Sequence, residues 1–287
     1  MQTNQKLNGK YCYINGTYLE RQFASISVDD LGLLRGYGVF DFIRTYKGRP
    51  FLLEEHLVRL QQSAKEINLH LPFSFDTLKR TVLELLKKNA LRESTIRIIV
   101  TGGRTVDGLH PSTRTPSLII LVDKLPNIKP SVFKQGVKLI TTPYSRFLPR
   151  AKTLDYVSYT RLLDECKGNS AYNILYTKNN MILEAATCNF FAFKHNQLVT
   201  ANRNVLAGIT RQVVLDLAKG EDNIVERALH INELKECSEA FLTGTTQGIV
   251  PVVQIDDQVI GTGKVGTKTK RLMAKYSSYI RSFIEQP

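Results

Sequence analysis

Apolar positions recur along this chain in two registers. Between Glu54 and Leu69 they fall at Leu57, Leu60, Ala64 and Ile67, with acidic residues in the first turn, a spacing that predicts a helix. Asp76–Asn89 (DTLKRTVLELLKKN) reads the same way, with Asp76 as its N-cap. Elsewhere short apolar runs are bounded by turn residues. Tyr11–Leu19 predicts a hairpin around Asn15-Gly16, a pair that tolerates the positive φ values of a type I′ turn. Val39–Tyr46, Lys47-Gly48 and Pro50–Leu53 predict a second hairpin. Strands at Ile96–Thr101 and Ser117–Val122 complete an α+β module.

Leu125–Val132 (LPNIKPSV) carries two prolines and little periodicity, as an interdomain linker does. Beyond it the pattern predicts a strand at Val137–Thr142, a helix over Asp155–Lys167, and strand pairs within Ala171–Ala186 and Asn189–Thr200. A helix over Thr210–Lys219 ends at Gly220, a natural C′ residue. Strands near Ala240–Thr243 and Val250–Gln254 and a helix from Lys268 follow. The division is a small N-terminal domain over 1–124, a linker over 125–132 and a larger C-terminal domain over 133–287. A length of 287 residues is ample for two cores.

Composition changes this picture little: 43% hydrophobic and 23% charged residues are those of a globular protein. The net charge of +13 is more suggestive, but both halves share it and no tail carries the excess. Seven basic residues and no acidic one lie from Lys124 to Lys152, and six from Lys264 to Arg281. Such stretches are a solvated basic surface, a funnel for a small anionic ligand, or the mark of a nucleic-acid-binding protein; no nucleic-acid motif supports the last. Apolar runs such as Ser117–Val122 are too short to span a bilayer, and MQTNQKLNGK lacks the apolar segment of a secretory signal. Cys12, Cys166, Cys188 and Cys237 are scattered without a CxxC, and the five histidines form no metal-binding pair. The expectation is a cytoplasmic protein with reduced thiols, no metal, no membrane and no nucleic-acid partner.

Individually the candidate chemical residues are unspecific. Lys152 precedes a helix, among many lysines. Glu184 follows a short strand and reads equally as a solvated hairpin residue. Arg59 lies off the Leu57/Leu60/Ala64 stripe, so periodicity sends it to solvent. Gly208-Ile209-Thr210-Arg211 opens a helix whose first N–H groups can bind phosphate. Thr243-Gly244-Thr245-Thr246 is a hydroxyl-rich turn, structural by default.

Together they carry more. EEHLVRL (54–60), AK (151–152), ILEAATCNFF (182–191), LAGITR (206–211) and LTGTTQGIVPV (242–252) occur in this order. From about Tyr11 to Lys275 the chain resembles the fold-type IV pyridoxal-phosphate enzymes. That family holds branched-chain aminotransferases, D-amino-acid aminotransferases and aminodeoxychorismate lyases. The 32 residues from Lys152 to Glu184 also fit it.

The resemblance implies a two-domain α+β fold like that of D-amino-acid aminotransferase, with a small N-terminal α/β domain and a larger, β-barrel-like C-terminal domain. It implies that Lys152 holds pyridoxal 5′-phosphate as a Schiff base and shuttles the substrate proton, while Glu184 faces the pyridine nitrogen. Arg59, the N–H groups of Ile209 and Thr210, and the Thr245 hydroxyl would hold the phosphate. Arg59 would rank first, because a charge-assisted hydrogen bond is worth roughly 1.5–3 kcal/mol against about 0.3–1 for a helix dipole. Tyr156 would reach the cofactor's phenolic oxygen or serve as a core tyrosine. Thr246 would meet the substrate carboxylate. Arg97 would orient substrate or sit in a buried ion pair.

Some positions depart from the family pattern. Branched-chain enzymes usually carry Gly-Asn before the tyrosine, where this chain reads Lys152-Thr153-Leu154-Asp155-Tyr156. Tyr37 and Asp41 stand where Asp and Glu are common. D-amino-acid enzymes trap a carboxylate with Arg-x-His, but His110 has no arginine two residues before it. The reading is an aminotransferase working between a branched-chain L-amino acid and a 2-oxo acid such as 2-oxoglutarate, as a homodimer. Aminodeoxychorismate lyase and D-amino-acid aminotransferase are the alternatives.

Overall fold

The computed structural model describes residues 8–111 and 116–285; residues 1–7, part of the stretch inspected for a signal, lie outside them. The chain forms two compact units. One comprises the residues up to Pro126 together with Ala151–Asp155; the other comprises Asn127–Arg150 and the residues from Tyr156 on.

The first unit is a six-stranded antiparallel sheet covered on one face by helices. Its elements are β1 (Asn8–Ile14), β2 (Thr17–Glu20), α1 (Leu31–Arg35), β3 (Gly38–Tyr46), β4 (Arg49–Pro50), α2 (Leu53–Glu66), α3 (Phe75–Asn89), β5 (Ser94–Thr101) and β6 (Ser117–Lys124). The strand order is β2-β1-β6-β5-β3-β4. Alternation sends Val39, Ile43, Ile96, Ile98, Val100, Leu118, Ile120 and Val122 to one face, where Leu57, Leu60 and Ala64 of α2 and Leu78, Val82 and Leu85 of α3 pack on them. At the first hairpin Ile14 pairs Thr17, and Asn15 and Gly16 take φ of 43° and 98°.

Local chemistry shifts several boundaries. The cap of α3 is Ser74, whose hydroxyl accepts the Thr77 N–H, and not Asp76. The second hairpin is curtailed: β4 has two residues, because Leu52 turns left-handed (φ 51°) and α2 begins at Leu53.

The second unit contains α4 (Pro130–Gln135), β7 (Val137–Pro143), α5 (Val157–Arg161), α6 (Leu163–Gly168), β8 (Asn173–Lys178), β9 (Met181–Ala185), β10 (Cys188–Lys194), β11 (Gln197–Thr200), α7 (Ile209–Ala218), β12 (Asn223–Glu226), β13 (Leu229–His230), β14 (Cys237–Gly244), β15 (Gly248–Ile255), β16 (Gln258–Val259) and α8 (Thr267–Glu285). Strands β10-β14-β15-β7-β8-β9 are hydrogen-bonded in that order, and β9 also pairs β10, closing a six-stranded barrel. Leu139, Leu175, Ile182, Phe190, Leu242, Val250 and Val252 lie in its main core.

The stretch read as linker holds the division between the units, after Pro126, and also starts a short helix at Pro130, where proline's fixed φ suits the first turn. One expectation fails here. The helix expected over Asp155–Lys167 is two short helices broken at Leu162. Among the described residues no helix is long and apolar enough to cross a membrane.

Candidate functional site

In the first unit the site grows from β3 and α2. Strand alternation turns Asp41 inward, fully buried, between the outward Phe40 and Phe42. Helix α2 buries a second stripe beside its leucines: His56, Arg59 and Ser63, at i, i+3 and i+7. Asp41 Oδ2 accepts Arg59 Nε at 2.9 Å and Oδ1 accepts Arg59 Nη2 at 2.8 Å, a forked ion pair. His56 Nδ1 lies 2.6 Å from Oδ1. Arg59 is therefore buried rather than solvated, because this stripe faces an acid that periodicity does not see.

Charge states follow from this packing. Burial works to raise the Asp41 carboxyl, but the Arg59 charge and His56 outweigh it and hold the group far below the usual carboxylate range. Burial lowers His56 more than Asp41 raises it, and Arg59 and Lys152 lower it further. Neutral His56 thus donates Nδ1–H to Asp41.

Lys152 lies against the same frame. Its carbonyl accepts the Phe40 N–H at 2.9 Å, Leu154 N–H donates to Gly38 O, and Thr153 bridges Val39. Residues 152–154 thereby extend the free flank of β3. Gly38 permits the approach: a Cβ there would lie 2.8 Å from Leu154 Cδ1 and 2.7 Å from Val100 O. The Lys152 N–H donates to Ser63 Oγ at 3.0 Å, and its Nζ lies 4.7 Å from the centre of the Phe40 ring. Lys152 was expected in the larger C-terminal domain; these backbone bonds put it in the first unit.

Arg97 is exposed on β5, opposite Phe42 in register, its guanidinium 5.3 Å from the centre of that ring. A buried ion pair is not its role. Tyr37 donates its hydroxyl to Ile67 O at 2.8 Å, burial pushing the phenol up, so it anchors the end of α2. Asp155 is exposed.

In the second unit Glu184 is buried, not solvated. It pairs Asn189 across the β9–β10 turn, and its Oε2 accepts Asn189 Nδ2 at 3.2 Å and Leu206 N–H at 3.0 Å. Asn189 Nδ2 also donates to Leu206 O at 2.9 Å. A Cβ at Gly208 would fall 1.9 Å from Asn189 Oδ1, so only glycine lets the 206–208 loop lie this close. That loop delivers α7, whose N-cap Gly208 offers no side-chain cap to the first N–H groups, those of Ile209 and Thr210. At the β14–β15 turn Thr246 donates to Gln247, and Gln247 Nε2 donates to Cys188 Sγ at 2.9 Å, beside Asn189. Thr243 Oγ1 is buried and has no protein partner among the described residues.

Arg146, one of the seven basic residues from Lys124 to Lys152, joins this group. Its Nη2 donates to Ala186 O at 2.6 Å, its Nε is 3.5 Å from Glu184 Oε1, and its guanidinium lies over the Tyr156 and Tyr176 rings at 4.8 and 5.8 Å. Half-buried Tyr156 is the N-cap residue of α5. Glu184, Tyr156 and the loop that leads into Ile209 and Thr210 are thus linked within one unit through Asn189 and Arg146, Thr246 joins Cys188 through Gln247, and Thr245 precedes Thr246 in the β14–β15 turn. Lys152 and Arg59 are linked within the other through Ser63, Asp41 and His56. Among the described residues no cluster could hold a metal ion.

Comparison with known proteins decides the family. Residues 38–255 match the amino-transferase class IV family. The chain belongs to the class IV aminotransferases. A Methanocaldococcus jannaschii protein named "Putative branched-chain-amino-acid aminotransferase" is 36% identical, covering 92% of this chain and 94% of its own. The D-alanine aminotransferase of Bacillus licheniformis is 32% identical, over 93% and 96%. In structure the chain is similar to the branched-chain amino acid aminotransferase of Escherichia coli, with TM-score 0.88, 26% identity and 94% of each chain covered. It is equally similar to a T.th. branched-chain amino acid aminotransferase solved with pyridoxamine 5′-phosphate, with TM-score 0.88, 25% identity and coverage of 95% and 94%.

This class IV aminotransferase is an enzyme dependent on pyridoxal phosphate. The residues present suit that group. In the first unit a lysine amine and a buried guanidinium are what an aldehyde and a phosphate need; in the second, a buried carboxylate fed by N–H donors suits a ring nitrogen, and a helix start without a side-chain cap suits a phosphate.

Proposed function

We propose that this class IV aminotransferase moves the amino group of a branched-chain L-amino acid to a 2-oxo acid such as 2-oxoglutarate. The observation that carries the reading is the outer face of β3. The Lys152 amine lies over the Phe40 ring, Phe42 lies two residues along on the same face, and the exposed Arg97 guanidinium caps Phe42. An aromatic floor beside the amine suits a branched aliphatic side chain, and the guanidinium suits the carboxylate of the acceptor. The His110 ring, by contrast, is engaged by Asp107 at 2.7 Å, and position 108 is glycine, which weighs against a D-amino-acid carboxylate trap.

Bound pyridoxal phosphate supplies an aldehyde that captures the amino group and a ring that draws electrons from the substrate's α-carbon. Lys152 Nζ would hold the cofactor between turnovers and take the proton from that carbon. Glu184 would keep a proton on the ring nitrogen, Tyr156 would serve the phenolic oxygen, and Arg59, the N–H groups of Ile209 and Thr210, and the Thr245 hydroxyl would hold the phosphate. Arg97 and Thr246 would orient the substrate carboxylates. The chain acts as a homodimer in the cytoplasm. Exposed Phe23, Val28 and Leu33 of the first unit supply apolar surface for a second copy, and four free, buried cysteines suit a reducing compartment.

A panel of L- and D-amino acids against 2-oxoglutarate, read as oxo acid formed, tests the substrate. Preference for L-leucine, L-isoleucine or L-valine supports the reading. Preference for D-alanine, the substrate in the name of the Bacillus relative, overturns it.

A further inference from the structure

The forked pair between Asp41 and Arg59 sits where the proposed phosphate anchor should be most cationic. Asp41 occupies the Nε and one Nη2 donor of the guanidinium, and neutral His56 donates to the same Oδ1 at 2.6 Å. The Phe42 N–H donates to that oxygen as well, at 2.7 Å, so the carboxylate is held from the strand and from the helix. Its side chain is fully buried, where a counter-charge is screened least.

We propose that Asp41 is a positioning residue that sets how tightly Arg59 holds a phosphate monoester. It fixes the plane of the guanidinium and cancels most of its charge. The phosphate is then held by direction rather than by an uncompensated cation. The inference rests on the reading that Arg59 is the phosphate anchor. A carboxylate merely supporting α2 would act alike on every ligand. A counter-ion acts on the phosphate alone.

The test compares pyridoxal with pyridoxal phosphate, each titrated by absorbance into the full-length apoprotein. The ratio of their dissociation constants isolates the phosphate contribution. Asp41→Asn keeps the shape and one acceptor but removes the charge, and it raises the ratio about tenfold, or about 1.4 kcal/mol. Asp41→Glu keeps the charge and leaves the ratio within a factor of about three, taking one order of magnitude as the decisive step. Inorganic phosphate competes more strongly against pyridoxal phosphate in Asp41→Asn than in the parent. Asp41→Thr, a second neutral replacement, gives the same rise if Asp41→Asn does not fold. A ratio that stays level or falls in the neutral variants, while Arg59→Gln lowers it, overturns the role of Asp41 and leaves the anchor standing. A ratio unmoved by Arg59→Gln overturns the anchor itself.

Discussion

The backbone N–H of Lys152 donates to the hydroxyl of Ser63, one helical turn beyond Arg59 on the same buried face of α2. The helix that presents the guanidinium therefore also fixes the main chain of the lysine. Ser63 is fully buried, so Ser63→Ala leaves the Lys152 N–H without that acceptor. The expected cost is about 1–3 kcal/mol of stability and a lower kcat with KM little changed. Steady-state kinetics beside urea unfolding checks both; an unchanged kcat removes Ser63 from the positioning of Lys152.

Burial of His56 beside Asp41 makes stability depend on pH. His56 is lowered from 6.5 by burial, so below pH 6.5 the unfolded chain takes up a proton before the folded chain does. Its contribution is complete above 6.5 and lost as pH falls through the folded value. Asp41 is held below its ordinary 3.8, which gives the same sign at lower pH: its contribution is complete above 3.8 and lost beneath it. The groups facing His56 are Asp41, Arg59 and Lys152, and no other charge is needed for the effect. Stability of the parent to urea should weaken as pH falls below 6.5, and His56→Gln should flatten that fall. Equal slopes contradict it.

Arg146 ties Tyr156 and Glu184 to the Ala186 carbonyl. Replacing it by methionine keeps the bulk and removes the charge beside Glu184. Cofactor affinity is expected to fall about tenfold, and Arg146→Lys recovers only part, since lysine lacks the planar fork. Absorbance titration with pyridoxal phosphate measures this, and an unaltered affinity would show that Glu184 needs only Asn189 and Leu206.

At Gly208 the missing side chain matters more than φ, which is an ordinary −70°. An added methyl would overlap Asn189 Oδ1 and push the loop before α7 away from Glu184. Gly208→Ala is predicted to weaken binding of pyridoxal phosphate more than that of pyridoxal, because the displaced groups are the Ile209 and Thr210 N–H donors. Equal losses for the two ligands would place the phosphate elsewhere.

Much of this was legible in the sequence because it is local. Asn15-Gly16 turns as its dihedral preference requires, the Leu57/Leu60/Ala64 stripe meets the sheet, and Gly220, at φ 82°, follows the end of α7. What depends on a second buried face was not legible. Arg59 lies off the leucine stripe, and Asp41, eighteen residues earlier, is a buried partner that periodicity does not show. His56 and Ser63, three before and four after Arg59, were the available signal for that face. Arg146 was visible only as one charge in an acid-free stretch, since its partners Glu184 and Tyr176 come from later strands. The break at Leu162 and the return of Ala151–Asp155 to the first unit depend on tertiary contacts that periodicity does not carry.

The most direct test of the whole account is chemical. Borohydride treatment of the enzyme loaded with pyridoxal phosphate, followed by peptide mass analysis, should place the reduced cofactor on the peptide containing Lys152, and Lys152→Ala should lose both the label and transaminase activity. Label on another lysine, or full activity without Lys152, would contradict it.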